Sequence, residues 1–469
     1  MKNKKLKILF VRSLVKYPVK KEEVGIPLSY LYLSSYLMRN SSDKIESNIL
    51  DYRLNKLENK PINPEVDFNE YDVVAIGACT SEFPHASYLL KQAKDMNKIT
   101  IMGGIFPTEN PKYVLSHEHI DYVIRGEGEK SLKSLLDVLY HRQFKNIRNV
   151  DGLSFRKKYK VVHNKSARLL KSIPDVIPAY SLIPLEKYKK YTEVHIMGSR
   201  GCPFRCSYCS LSRMWKRTYR KRDVNAIINE LLFLQKAGFE RVSIKDDSFT
   251  LDRKFTHQIL GTIIKQNQKG NLSLKYKVKS RIDGVDTSLL AKMRRAGIDV
   301  IQFGVESISD QSLKRINKGG SITKVLIESV LRKTLEAKIR INPVFIFGIP
   351  GQKKEELIET LNFIEKLGKF PEVLAYVSFY TPHPRRNHFP LEPDILLLEN
   401  DLNRFTHKQM VAVPQTLSDE DGRRLLIATY DEIAKVSRSR HLNPPLEPAY
   451  SKNLIYTQPI QDDRIPLYK

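Results

Sequence analysis

Cys202, Cys206 and Cys209 stand in the stretch SRGCPFRCSYCS with the spacing C-x3-C-x2-C, and Cys79 is the only other cysteine. Three close thiols point to metal chemistry. Iron–sulfur clusters are held by cysteine thiolates. A [4Fe–4S] cube held by three of them leaves one iron open to a small molecule. A structural zinc ion wants four closed ligands, and its fourth here would be His195, Cys79 or a distant residue. A catalytic zinc with three protein ligands is the remaining arrangement, although three thiolates make a poor Lewis acid. Thiols clustered in this way argue against a disulfide framework and for metal chemistry in a reducing compartment.

Further polar residues gather just after apolar runs. Asp246 and Asp247 follow RVSIK, Ser280 and Arg281 end LKYKVKSR, and Glu306 follows DVIQFGV. These runs, with VHIMGS, RINPVFIFG and VLAYVSFY, read as strands. Amphipathic stretches such as VNAIINELLFLQKAG and KEELIETLNFIEKLG lie between them and read as helices. Six such units in about 190 residues predict a partial (β/α)6 TIM-type barrel, since a full eight-unit barrel takes ~250 residues. The cysteines follow the first barrel strand. Barrel enzymes place their chemistry at that end of the strands.

Residues 1–140 also alternate strand and helix, which predicts an α/β, doubly wound, Rossmann-like parallel sheet. Ligands of such sheets sit beyond the carboxyl ends of the strands. Those ends carry CTSEF (Thr80, Ser81, Glu82), GGIFPT (Gly103, Gly104) and RGEGE (Gly126, Glu127). Residues 141–193 hold a hairpin-like stretch and a proline-rich run and read as a linker. The barrel then spans 194–384, and 385–469 is expected to be mostly helical. The N-terminus starts like a signal peptide, but Arg12 and lysines interrupt it, so it reads as a first strand in a cytoplasmic protein. No apolar run approaches the ~18 residues of a membrane span. The net charge of +27 raises a nucleic-acid partner. The basic residues are spread along the chain among acidic ones, which favours a solvated surface over an RNA-binding module.

Taken in order, the motifs of residues 194 to about 380 resemble the radical S-adenosylmethionine (SAM) enzymes. Cys202, Cys206 and Cys209 match that family's CxxxCxxC, and Tyr208 is the aromatic before the last cysteine. IKDDSFT matches a D-D-x-F segment, KSRID a SAM-contacting strand end, VIQFGVES a G-x-x-E strand and FGIPGQ a G-x-P-G turn. The resemblance implies a [4Fe–4S] cluster on the three cysteines. It also implies SAM contacts from Tyr208, Asp246, Asp247, Ser280, Arg281, Gly304 and Glu306. The chemistry it implies is reductive cleavage of SAM to a 5′-deoxyadenosyl radical that takes hydrogen from the substrate.

A doubly wound domain ahead of such a barrel resembles the cobalamin-binding subclass. GIPLSYLYLSSYL, Gly103–Gly104, RGEGE and the proline-rich linker carry this likeness. It implies cobalamin contacts from Asp51, Arg53, Thr80, Ser81, Glu82, Gly103, Gly104, Gly126 and Glu127. Many cobalamin proteins have D-x-H-x-x-G after the second strand, whose histidine ligates cobalt. Here the stretch is DYRLNK, with Asp51 kept and Arg53 in place of the histidine. Arginine stays protonated and has no lone pair to give.

The resemblance implies a C- or P-methyltransferase. A cyclase, ring-contraction or oxidation enzyme with the same cofactors is the alternative, and an RNA-modifying enzyme a further one. The implied partners are a small-molecule substrate and an external one-electron reductant such as flavodoxin or ferredoxin. The last barrel strand ends in TPHPRRNHF, which makes His383 and Arg385 candidates for gripping an acidic or phosphorylated substrate.

Overall fold

The computed structural model describes residues 5–14, 25–41, 44–58, 67–190, 193–318, 320–382, 395–397, 412–422 and 424–426. Among them no helix is long and apolar enough to cross a membrane.

The first sheet contains β1 (Leu6–Arg12), β2 (Ile45–Asp51), β3 (Val73–Gly77), β4 (Ile99–Gly103), β5 (Tyr122–Ile124), β6 (Leu153–Lys157) and β7 (Lys160–His163). Its order is β2-β1-β3-β4-β5-β6-β7. The first five strands are parallel. Strands β3 and β4 are nearly all apolar because helices cover both faces of the sheet. The order reverses at β1 and β3, the switch point where doubly wound sheets hold ligands. The hairpin expected in the 141–193 linker is β6 and β7. It joins this sheet antiparallel, on the edge of the three-residue β5. An uncovered parallel edge would expose unpaired backbone groups, so the hairpin completes the domain as well as leaving it.

The second sheet takes β8 (Val194–Ile196), then, past the short antiparallel pair β9 (Ser199–Arg200) and β10 (Arg220–Lys221), β11 (Arg241–Ile244), β12 (Lys275–Arg281), β13 (Ile298–Glu306), β14 (Arg340–Phe347) and β15 (Tyr376–Phe379). Its six strands follow one another in sequence order and are all parallel, forming an open half-barrel. Val194, Val242, Val278, Ile301 and Ile341 point outward into the core beneath the helices. Those helices begin on side-chain caps. Asp223, Asp252, Asp286 and Thr323 accept from amides of the first turns of Val224–Lys236, Arg253–Gln268, Thr287–Ala296 and Lys324–Glu336. In the region expected to be helical, β16 (Ile395–Leu397) and β17 (Ala412–Pro414) pair antiparallel, followed by short helical turns.

Buried charge joins the two sheets. Arg200 donates to Glu127 and Glu129, each at 2.6 Å, and all three side chains are about 95 % buried. Arg220 reaches both oxygens of Glu127 at 2.9 Å. Burial alone would raise the Glu127 carboxyl, but Arg200, the Leu170 amide and Arg220 hold it below the usual range. Behind them Arg222 pairs with fully buried Glu230, which also accepts from Tyr180. Glu127→Ala leaves buried Arg220 without its carboxylate and Arg200 with Glu129 alone, so it should lower unfolding stability by about 3–5 kcal/mol in denaturant titration. A loss under ~1 kcal/mol would mean that the junction is held by its apolar contacts instead.

Candidate functional site

The cysteine loop leaves β9 at Gly201, whose φ of +96° suits glycine, and where a Cβ would strike the Thr218 carbonyl at 2.1 Å. Two aspartates expected to touch SAM hold this loop. Asp246, 1 % exposed, accepts from the Gly198 amide at 2.7 Å and the Ser199 hydroxyl at 2.6 Å. Asp247 accepts from the Gly201 amide at 2.9 Å. The Ser207 amide reaches the Ile316 carbonyl at 2.9 Å, and the Cys209 amide the Cys206 carbonyl at 3.1 Å. Burial pushes the Cys202 thiol up, the Phe204 amide offsets part of this, and Cys209, Asp247 and Cys206 add to the rise. Among the described residues, no three His, Cys, Asp or Glu side chains are drawn together tightly enough to grip one metal ion.

Arg281 is fixed against this loop. It donates to both oxygens of Asp283, at 2.9 and 2.8 Å, and to the Lys318 carbonyl at 2.7 Å. Its guanidinium lies over the Phe204 ring, 3.7 Å from the centre, and 4.0 Å from the Cys206 sulfur. A fixed cation there suits thiolates that carry an anionic cluster, because it lowers the cost of their charge. Ser280 is buried beside it, bonded to Thr250 and to the Arg281 carbonyl.

Tyr208 donates to Glu306 at 2.7 Å, and Lys318 reaches Glu306 at 2.8 Å and the Tyr208 hydroxyl at 3.0 Å. Burial, and then the Glu306 carboxylate, push the Tyr208 phenol well up. Glu306 has φ +69° at a register break in β13. Gly304 makes room for the group: a Cβ there would lie 2.7 Å from the Glu306 oxygen and 2.9 Å from the Lys318 nitrogen. The sequence carries no signal for Lys318, one of 79 basic residues and placed by a loop rather than a strand.

On the first sheet, a cavity of about 250 Å³ lies at the ends of β3, β4 and β5. Tyr30, Gly77, Gly103 and Gly126 line it from one domain, and Met197 and Trp215 close it from the other. A Cβ on Gly104, φ +94°, would sit 2.7 Å from the Ala78 backbone, whereas one on Gly126 would meet nothing. The Tyr32 hydroxyl beside the cavity is buried without a partner. An apolar slot, an open glycine rim and an orphaned hydroxyl fit part of a large amide-rimmed cofactor, the rest lying along the rim. Thr80, Ser81 and Glu82 form the turn after β3, where Glu82 accepts from the Cys79 amide at 2.8 Å and pairs with Arg53. Burial, and then Arg12, lower Arg53 to about 10, so it stays a cation at neutral pH and offers no lone pair. Asp51 is walled in, accepting from Arg12 at 3.0 Å, Tyr188 at 2.6 Å and its own cap amide. Glu127 has both oxygens engaged at the junction. His383 and Arg385 lie outside the described residues.

Residues 196–364 match the Radical SAM superfamily, and residues 20–136 match the B12 binding domain. The chain carries a radical SAM domain and a B12-binding domain. A radical SAM domain takes a [4Fe–4S] cluster and SAM, and a B12-binding domain takes cobalamin. An uncharacterised methyltransferase of Pyrococcus horikoshii is 29% identical over 410 residues, 85% of this chain and 86% of that protein. An anaerobic magnesium-protoporphyrin IX monomethyl ester cyclase of Synechocystis is 25% identical over 322 residues, 67% of this chain and 62% of the cyclase. The solved structure of TsrM from Kitasatospora setae, a radical SAM methyltransferase with cobalamin and a [4Fe–4S] cluster bound, superposes with a TM-score of 0.68. It is 16% identical and covers 84% of this chain and 80% of its own, so the likeness is one of fold.

The buried groups of the radical SAM domain give two expected outcomes. Lys318→Met leaves the buried Glu306 carboxylate without its cation and with the Tyr208 hydrogen bond alone, so it should cost about 3–5 kcal/mol in denaturant titration; adding Glu306→Gln should recover most of that loss. Burial raises Asp246 from the ordinary carboxyl value to about 6, against the Ser199 and Gly198 bonds that lower it. The folded protein therefore binds the proton more tightly than the unfolded chain, and stability falls as pH rises from about 4 to about 6. Asp246→Asn should flatten that part of a melting-temperature profile, its amide oxygen accepting from Gly198 and its amide nitrogen donating to the Ser199 hydroxyl.

Proposed function

We propose that the protein is a cobalamin-dependent radical SAM methyltransferase acting on a small molecule. The observation that carries this reading is the position of Arg200. It stands two residues before Cys202 and is gripped by Glu127 and Glu129 of the B12-binding domain. The cysteine loop and the glycine rim of the first sheet therefore share one wall, with Met197 and Trp215 facing Gly103 and Gly126 across the cavity. The match to the methyltransferase of Pyrococcus horikoshii over most of both chains supports the same reaction class.

In this reading Cys202, Cys206 and Cys209 hold the cluster, and Arg281 stabilises the Cys206 thiolate. Tyr208, Gly304 and Glu306, with Lys318, form the pocket wall beside SAM, and Asp246 and Asp247 position the cysteine loop. Gly103, Gly104, Gly126 and the Thr80–Glu82 turn would cradle cobalamin, while Arg53, at the histidine position of the D-x-H-x-x-G pattern, would give cobalt no ligand. When bound, the reduced cluster supplies an electron that cleaves SAM, and methylcobalamin supplies the methyl group. The chain itself orients both cofactors and keeps water out of the junction. An external one-electron carrier such as flavodoxin or ferredoxin supplies the reducing electron. Four cysteines with no disulfide among them suit a reducing, cytoplasmic setting.

Anaerobically reconstituted protein should keep cobalamin absorbance after desalting and, with SAM, reductant and substrate, yield both 5′-deoxyadenosine and S-adenosylhomocysteine. Cys206→Ala should lose the cluster absorbance and the 5′-deoxyadenosine. Formation of 5′-deoxyadenosine with no methyl gained by the substrate would refute methyl transfer. The similarity to the cyclase favours a second reading, ring closure, whose product gains no methyl group and loses hydrogen.

A further inference from the structure

Strands alternate their side chains between two faces. Val194, Ile196, Val242, Ile244, Tyr276, Val278, Ile301 and Phe303 all belong to the core under the helices. The residues between them therefore face the concave lumen of the half-barrel. Register sets them in layers. His195, Ser243 and Lys277 stand side by side on β8, β11 and β12. One step further, Lys279, Gln302 and Asn342 are neighbours on β12, β13 and β14, with Lys245 at the end of β11.

The floor below these layers is a closed ion pair. Arg241 holds both oxygens of Asp299 at 2.5 Å, Arg340 joins at 3.1 Å, and Glu193 flanks Arg241 at 3.6 Å. The layers above it are different. Lys245, Lys277 and Lys279 are part-buried, and among the described residues their ammonium groups make no hydrogen bond and no ion pair within 4 Å. Gln302 and Asn342 make no side-chain hydrogen bond there either. Burial, then Lys279 and Lys277, lower Lys245 to about 8, with Glu193 opposing. Burial lowers Lys279 as well; Asp247 opposes this and Lys277 adds to it. Three neighbouring ammonium groups repel one another, with Glu193 and Asp247 offsetting them only from a distance, and two amides with spare donors stand beside them. An anion in the lumen would satisfy all of them at once.

We propose that the half-barrel lumen grips its substrate by an anionic group, a carboxylate, phosphate or phosphonate, held by Lys245 and Lys279 with the side-chain amides of Gln302 and Asn342. Arg281, beside the cluster loop, lies two residues further along β12 than Lys279, roughly 7 Å nearer the strand ends. The substrate then enters anion first and leaves its reacting end at the junction of the two domains. This rests on the methyltransferase reading only in naming the lumen's ligand a substrate.

Binding of inorganic phosphate, methylphosphonate and acetate to the full chain is measured by calorimetry, and SAM binding to the reconstituted protein by equilibrium dialysis. The variants are Lys245→Gln and Lys279→Gln, with Lys245→Arg as the charge-keeping control. Both Gln variants remove repulsion, so their melting temperatures should not fall below wild type. At least one anion should bind wild type saturably and at least about tenfold more weakly to either Gln variant, with SAM affinity changed less than about threefold and Lys245→Arg near wild type. The tightest of the three anions then names the group. No saturable binding to wild type, unaltered binding in both Gln variants, or a loss of SAM affinity beyond about threefold overturns the proposal; the last would assign the lysines to the SAM carboxylate. None of these measurements needs turnover, so anion binding without methyl transfer would refute the methyltransferase reading alone.

Discussion

The carboxylate of Glu127 is the hinge-pin of the molecule. It sits at the end of the RGEGE stretch of one sheet and accepts from Arg200 and Arg220, which flank the cysteine loop of the other. A buried ion pair is not in itself a strong source of stability, because each charge gives up its hydration. Its value is specificity of placement: with one partner displaced, the remaining charge is stranded, so other arrangements of the two domains are disfavoured. Tyr32 and Trp215 add their ring faces to Arg200, 5.3 and 5.7 Å from its guanidinium. The walls of the cavity between the domains are thereby fixed by the same residues that fix the cysteines. Two cofactor sites set in this way do not depend on a flexible linker to find each other.

The regular elements were readable from the sequence, and the side-chain roles within them less so. Each of the six barrel strands was marked by an apolar run and a following helix, because a buried parallel strand has no polar alternative. The cysteine triad was legible because its spacing allows few other uses. Asp246 was visible as a strand-end carboxylate, but its burial and its bonds to Gly198 and Ser199 depend on how a loop folds back, which no local pattern encodes. Lys318 was invisible for the same reason: it reaches Glu306 from a loop after a short helix. The β6–β7 hairpin was seen as a hairpin, and its membership of the first sheet was not, since edge pairing leaves no trace in the strand that receives it.

Arg53 and Glu306 depart from local rules in different ways. Arg53 puts a fixed cation where a donor would be expected, and its partner Glu82 also ties down the Cys79 amide, so the exchange involves a whole turn. Glu306 holds φ +69° against the usual preference of a residue with a side chain, and Gly304 clears the space for it. Backbone strain of this kind persists where the surroundings over-determine it, here through Tyr208 and Lys318.

The lysine-lined lumen bears on how this fold responds to evolution. Neighbouring cations that only distant carboxylates offset lower the stability of the empty protein. Substitutions that remove them belong to the easiest class of stabilising change. Selection for heat resistance alone would therefore bleach the lumen of charge first, leaving the helices, the cysteine loop and the domain junction untouched. Thermostable descendants obtained without a functional screen would be well folded and blind to their ligand.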